Sequence, residues 1–122
     1  MNSKRRILLV DDDENIRDVF SDALRFEGFK VESVANGKEA EDRLRELSTE
    51  RWLVLLDLMM PVMDGETFLR MKRADPLLAG VPVIVLTAGG DCRLLKATHD
   101  VVDCLPKTAT LSELLAAIAG AG

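Results

Sequence analysis

Short apolar runs alternate with helical patterns along this chain of 122 residues. Uninterrupted runs such as Ile7–Val10 and Trp52–Leu56 are typical of strands that are buried on both faces. Between such runs, apolar residues spaced like Ile16, Val19 and Phe20 predict amphipathic helices. Five strand–helix pairs of this kind predict an α/β fold, with a doubly wound, five-stranded parallel sheet and five helices.

Turn and capping signals give the expected bounds of these elements. The strands are predicted at Arg6–Val10, Phe29–Val34, Trp52–Leu56, Val81–Leu86 and Val101–Leu105. The helices are predicted from Ile16 to before Gly28, from Asn36 to Leu47, over Gly65–Ala74, over about Asp91–Thr98, and from Thr110 to Ile118. Because the chain shows neither a repeat nor a linker, residues 1–122 are expected to form a single domain.

The composition narrows the classes of function. A net charge of −5 argues against direct binding to nucleic acid, which depends on neutralising phosphates. No apolar run has the length of a membrane span or of a signal-peptide core, so a cytoplasmic location is expected. Cys92 and Cys104 lack the spacing of a metal site or of a disulfide framework, and we expect both to be reduced thiols.

Reactive side chains follow four of the predicted strands. Asp11–Asp13 follow the first strand, Asp57 the third and Thr87 the fourth, and Lys107 lies just past the fifth. Because the carboxyl ends of parallel strands meet at one edge of a sheet, these groups are expected to converge.

Neighbouring carboxylates repel each other unless a cation neutralises them, and Mg²⁺ prefers oxygen ligands. A carboxylate can also attack a phosphoryl group to form an aspartyl-phosphate. Asp57 ends a buried strand, where a charge needs a partner, so a purely structural role is hardest to assign to this aspartate.

Two further aspartates have simpler interpretations. Asp13 precedes the first helix and Asp64 precedes the third. An aspartate in that position accepts hydrogen bonds from the exposed main-chain N–H groups of the first turn. We therefore expect both side chains to cap helices.

Four stretches of the sequence together resemble the receiver domain of two-component response regulators, and the likeness extends from about Arg5 to Ala119. The stretches are Leu8–Asp12, Asp57–Gly65, Thr87–Ala88 and Leu105–Lys107. The resemblance, which includes the chemotaxis regulators, implies a flavodoxin-like sheet with the strand order 2-1-3-4-5. It also implies a phosphorylation-dependent signalling switch that catalyses only its own phosphorylation and dephosphorylation, and is otherwise not an enzyme.

The resemblance implies a role for each matching residue. The phosphoacceptor is Asp57, and Thr87 and Lys107 contact the phosphoryl group. The implied Mg²⁺ ligands are the side chains of Asp11, Asp12 and Asp57 and the main-chain carbonyl of Met59. The implied donor is a phosphohistidine on a sensor histidine kinase or on a histidine phosphotransfer protein, and small phosphodonors such as acetyl phosphate are further sources.

The implied output is an altered contact with a downstream protein. The contacting face is expected to combine the predicted helix at about Asp91–Thr98, the fifth strand and the last helix, without direct contact to nucleic acid or membrane. Three departures bear on this output. Thr108 replaces the usual proline after Lys107, Cys104 replaces the usual aromatic residue, and Asp100 replaces a glycine. The Lys107–Thr108 peptide is therefore either trans, with a shifted lysine, or a costly cis bond.

Two alternative functions stay open at this point. The departures at Cys104 and Thr108 allow a degenerate receiver that binds partners without being phosphorylated. Asp11 and Asp13 also resemble the start of a haloacid-dehalogenase-type phosphatase, with Asp11 as nucleophile and Asp13 as general acid. The phosphatase interpretation leaves Asp57 without a role.

Overall fold

The computed structural model describes residues 5–57, 63–87 and 101–121. Five strands, numbered in chain order, form one sheet: β1 (Arg6–Val10), β2 (Lys30–Val34), β3 (Trp52–Asp57), β4 (Val83–Thr87) and β5 (Val101–Pro106). Four helices lie within the described ranges: α1 (Glu14–Phe26), α2 (Gly37–Glu46), α3 (Gly65–Ala74) and α4 (Leu111–Gly120). The fifth helix expected at about Asp91–Thr98 lies outside the described residues.

The sheet is parallel at every strand pair and has the order β2-β1-β3-β4-β5. This order confirms the prediction of a doubly wound sheet. The chain starts in β1, moves outward to β2, and then crosses β1 to reach β3. The strand order therefore reverses between β1 and β3, and the carboxyl ends of these two strands lie next to each other.

Each face of the sheet has its own hydrophobic core, because successive side chains of a strand point to opposite faces. Leu8 and Val10 of β1 belong to one core, which includes Leu44 of α2 and Phe68 of α3. The other core draws on α1 and α4, and includes Leu24. Helices on both faces explain why β1, β3 and β4 are almost continuously apolar.

Local signals set the ends of the helices. The side chains of Asp13 and Asp64 accept main-chain hydrogen bonds at the starts of α1 and α3, as predicted. Thr110 forms the predicted capping box at the start of α4. Gly28 follows α1 with a φ of 96°, a conformation that glycine adopts without steric cost.

None of the helices in the described part of the chain has the length and the apolar character needed to cross a bilayer.

Candidate functional site

The central pair of carboxylates comes from the two strands at the point of reversal. Val10 lies opposite Leu56 in the parallel ladder between β1 and β3, so that Asp11 and Asp57, the next residues, lie side by side. Both are buried, Asp11 with no exposed surface and Asp57 with 2%. Two neighbouring carboxylates in a buried position need a compensating cation.

The geometry fits a divalent cation. Carboxylate oxygens of Asp11, Asp12 and Asp57 lie within 4.8 Å of one another. Asp11 Oδ1 accepts a hydrogen bond of 2.9 Å from Asp13 N, whereas Asp11 Oδ2 is buried and lies 3.4 Å from the ammonium of Lys107. An all-oxygen donor set of this kind matches the preference of Mg²⁺, with Asp12 exposed on the solvent side. Met59, the fourth expected ligand, lies outside the described residues.

Lys107 brings a positive charge to the same carboxylates. Its Nζ lies 3.2 Å from Asp57 Oδ2 and 3.4 Å from Asp11 Oδ2. Burial alone would lower the pKa of Lys107, but the hydrogen bond to Asp57 and the negative charges of Asp11 and Asp57 outweigh it, so the pKa lies above its ordinary value. The ammonium group is therefore retained at neutral pH.

The main chain around Lys107 explains how the lysine reaches the site without the usual proline. No cis peptide bond occurs within the described ranges, so the bond from Lys107 to Thr108 is trans. Lys107 N donates a 2.8 Å hydrogen bond to Thr87 O, which holds the end of β5 against the end of β4. Of the two geometries left open by the sequence, the structure has the trans peptide, and its lysine contacts both carboxylates.

Thr87 is the last residue of β4 and lies on the same edge of the sheet. Asp57 is opposite Leu86 in the ladder between β3 and β4, which places Thr87 one residue beyond the level of Asp57. On its other side Thr87 is opposite Pro106 in β5. The structure thus brings the ends of β1, β3, β4 and β5 together, as the sequence predicted.

The side chain of Asp13 caps the start of α1, as the sequence predicted. Its Oδ1 accepts hydrogen bonds from Asn15 N at 2.9 Å and Ile16 N at 3.3 Å. These bonds give the carboxylate a structural role at the start of α1. The position of a general acid, which a phosphatase of the haloacid-dehalogenase type would need, is therefore used for capping.

The prediction that both cysteines are reduced is wrong for Cys104, which is disulfide-bonded. Cys92, the other cysteine of the sequence, lies outside the described residues. Bonding between cysteines depends on the distance between their Cα atoms and on the directions of their side chains, which residue spacing does not reveal. Cys104 is partly buried in β5 and packs against the core that includes α2 and α3.

Two contacts next to the site have no clear signal in the sequence. Arg17 of α1 donates a 2.6 Å hydrogen bond from Nη1 to the main-chain oxygen of Asp11. Gly37, at the start of α2, donates a 3.3 Å hydrogen bond to the oxygen of Met63, in the loop before α3. A side chain at Gly37 would place its Cβ 2.9 Å from Met63 Sδ and 3.0 Å from the Met63 oxygen, so a larger residue there would require Met63 to shift.

The sequence of this chain is similar to those of known regulatory proteins. The model of the response regulator receiver domain family matches residues 7–119. The transcriptional regulatory protein CpxR homolog of Haemophilus influenzae is 41% identical over 116 residues, which are 93% of this chain and 48% of that protein. The DNA-binding response regulator MtrA of Mycolicibacterium smegmatis is 43% identical over 88 residues, which are 72% of this chain and 36% of that protein. The present chain therefore spans about half, or less, of the length of these relatives.

Solved structures show the same fold. The N-terminal domain of a response regulator receiver protein from Methanoculleus marisnigri superimposes with a TM-score of 0.78 at 33% sequence identity. The superposition covers 95% of this chain and 94% of that domain.

Proposed function

This chain belongs to the response regulator receiver domain family, which acts in phosphorylation-dependent two-component signalling, and from that premise we propose that Asp57 is its phosphoacceptor. The observation that best supports this role is the position of Asp57. It is a buried carboxylate at a strand end, next to two further carboxylates and within 3.2 Å of the ammonium of Lys107. A phosphoryl group at Asp57 would meet positive charge on two sides, from Lys107 and from a bound cation.

The proposed reaction transfers the phosphoryl group from a phosphohistidine of a sensor histidine kinase or of a phosphotransfer protein. A carboxylate oxygen of Asp57 forms a bond to phosphorus while the bond between phosphorus and the imidazole nitrogen breaks. The electron pair of the broken bond stays on the imidazole, which takes up one proton. Hydrolysis of the resulting acyl phosphate by water returns Asp57 to its free form.

The proposed Mg²⁺ ligands are Asp11, Asp12, Asp57 and the main-chain oxygen of Met59. When bound, Mg²⁺ would neutralise the charge of the phosphoryl oxygens. Lys107 would bind a phosphoryl oxygen through its ammonium group, and its raised pKa keeps that group protonated. Thr87 lies one residue beyond the level of Asp57, and its hydroxyl would donate a hydrogen bond to a phosphoryl oxygen.

The proposed output is a changed contact with a downstream protein or domain. The described part of the expected contact face includes Val102 of β5 and Leu111 of α4, which are 38% and 36% exposed. The remainder of that face, in residues 88–100, lies outside the described residues. The net charge of −5 supports a protein surface rather than nucleic acid as the direct partner.

Identification of the phosphorylated residue tests the proposal. The chain is incubated with acetyl phosphate and Mg²⁺, and intact mass spectrometry followed by peptide mapping locates the added phosphoryl group. We expect one group, on Asp57, and no incorporation in Asp57→Asn. In Asp11→Asn we expect slower incorporation, because a metal ligand is lost, but still on Asp57.

The same experiment separates the alternatives. Incorporation on Asp11 in the wild-type chain, lost in Asp11→Asn and retained in Asp57→Asn, would favour a phosphatase. Absence of incorporation at every residue, together with absence of Mg²⁺ binding, would favour a receiver that binds partners without phosphorylation.

A further inference from the structure

We infer that Arg17 is a positioning residue for the metal site, and that it acts by holding the main chain between Asp11 and Asp12. This inference rests on the proposed function, since it concerns the same two carboxylates. Arg17 lies in the first turns of α1, and its Nη1 donates a 2.6 Å hydrogen bond to Asp11 O. The contact is made to the main chain and leaves both carboxylates available to a cation.

The contact matters because a peptide unit is rigid. The Asp11 carbonyl, the Asp12 N–H and the Cα atoms of both residues lie in one plane. A hydrogen bond that fixes the carbonyl therefore also fixes the Cα of Asp12. Asp12 is exposed, so packing of its own side chain does little to hold it in place.

The other groups of Asp11 are held by different partners. Asp11 N donates to Val34 O at 3.2 Å, and Asp11 Oδ1 accepts from Asp13 N at 2.9 Å. Arg17 completes this set at the carbonyl, where the ladder between β1 and its neighbours has ended. Removing Arg17 would take away the partner of this carbonyl, so the orientation of the peptide between Asp11 and Asp12 would be less tightly fixed.

Charge and positioning predict opposite changes in Mg²⁺ affinity. A guanidinium group is always ionised and repels a nearby Mg²⁺, so its removal would strengthen binding if only charge mattered. Loss of positioning would weaken binding, because the carboxylates would have to be ordered by the metal itself. The direction of the change therefore identifies the role of Arg17.

Arg25 provides a matched control on the same helix. Its Nη2 donates a 2.9 Å hydrogen bond to Val31 O, so it too joins α1 to the main chain of the sheet. It lies two turns further along α1, near the helix end away from the carboxylates. Arg25→Ala removes the same charge and the same type of bond without touching the turn at Asp11.

The test measures Mg²⁺ affinity by isothermal titration calorimetry for four proteins: the wild-type chain, Arg17→Ala, Arg17→Lys and Arg25→Ala. We expect Arg17→Ala to bind Mg²⁺ about tenfold more weakly, as is usual when a group that orients a metal ligand is removed. We expect Arg25→Ala to bind like the wild type, and Arg17→Lys to recover part of the loss. Urea unfolding of each variant without metal shows whether the two alanine variants have similar stability.

The outcomes separate this inference from the proposed function. Unchanged or tighter Mg²⁺ binding in Arg17→Ala would overturn the positioning role while leaving Asp57 as phosphoacceptor. An equal weakening in Arg25→Ala would also overturn it, because the effect would then come from α1 as a whole. If the wild-type chain itself did not bind Mg²⁺, the proposed metal site would fail, and with it the basis for a role of Arg17.

Discussion

The two ends of the sheet differ in how their charged side chains are arranged. At the carboxyl end, three carboxylates lie together, those of Asp11, Asp12 and Asp57, and Lys107 contacts the first and the last of them. Near the amino end, a group that we call the Arg6 network pairs its charges. It consists of Arg6, Glu32, Arg43 and Glu50, two cations and two anions.

The contacts in the Arg6 network are close and join distant parts of the chain. Arg6 Nη1 lies 2.7 Å from Glu32 Oε2, and Arg43 Nη2 donates to the same oxygen at 3.0 Å. The guanidinium of Arg6 also lies over the ring of Trp52, 5.5 Å from its centroid. Opposite charges lie in contact near the amino end, which favours the folded state, whereas like charges lie together at the carboxyl end, where their repulsion reduces stability.

The largest expected effect on stability comes from Trp52, beside the Arg6 network. Trp52 is 2% exposed, packs in the core with α2 and α3, and donates a 2.8 Å hydrogen bond from Nε1 to Leu47 O. We expect Trp52→Ala to lower the free energy of unfolding by about 3–5 kcal/mol, because a large buried side chain leaves a cavity. Circular dichroism during urea unfolding measures the loss.

The Mg²⁺ affinity of the folded population in Trp52→Ala should stay at its wild-type value, because Asp57 lies at the opposite end of β3. If Trp52→Ala is too unstable to titrate, Trp52→Phe provides the same measurement with a smaller cavity. A parallel loss of Mg²⁺ affinity in Trp52→Phe would mean that the two ends of the sheet are coupled.

Glu32 gives the next largest effect, and the effect should depend on pH. The hydrogen bond from Arg43 is the main reason why the pKa of Glu32 lies below its ordinary value; burial opposes it and the contact with Arg6 adds to it. A lowered carboxyl pKa contributes stability above the ordinary pKa, and this contribution is lost as the pH falls through the folded value. We expect Glu32→Gln to cost about 1–2 kcal/mol at pH 7, and the cost to shrink below about pH 4.

Glu46→Gln is the matched control for Glu32. Glu46 also contacts Arg43, at 3.3 Å, but its side chain is 64% exposed. Exposed pairs contribute little, so we expect Glu46→Gln to cost less than about 0.5 kcal/mol at any pH. Equal costs in the two variants, measured by urea unfolding from pH 3 to pH 7, would contradict the stabilising role of the Arg6 network.

The carboxyl end of the sheet was more predictable from the sequence than the Arg6 network. Asp11 and Asp57 directly follow apolar runs, and parallel strands bring their carboxyl ends together whatever the details of packing. The pair of Arg6 and Glu32, in contrast, depends on the register between β1 and β2. The position of Arg43, a further member of the Arg6 network, depends on the rotation of α2 about its axis. Neither the strand register nor the helix rotation can be read from residue spacing along the chain.

Lys72 shows a second limit of the sequence pattern. A lysine on an amphipathic helix is expected to be exposed, yet Lys72 is 1% exposed. Its Nζ donates a 3.0 Å hydrogen bond to Ala79 O, in the turn that follows α3. The main-chain acceptor that makes this burial possible exists only after α3 has packed against the sheet. The apolar period still predicted the bounds of α3 correctly, as Gly65–Ala74.

The smallest expected effect is the most direct test of the contrast between the two ends. In the absence of Mg²⁺, Asp12 adds a third negative charge within 4.8 Å of the carboxylate oxygens of Asp11 and Asp57. We expect Asp12→Asn to raise the free energy of unfolding by about 0.5–1 kcal/mol in metal-free buffer, because like charges at this separation repel even near solvent. Saturating Mg²⁺ should make the wild-type chain the more stable of the two, because it gains more binding free energy than the variant.

Asp18→Asn, at an exposed carboxylate of α1, is the control. It should show neither the gain in stability without metal nor the reversal with Mg²⁺. A metal-free Asp12→Asn chain that is less stable than the wild type would show that the carboxyl end, like the Arg6 network, has compensated its charges without a cation.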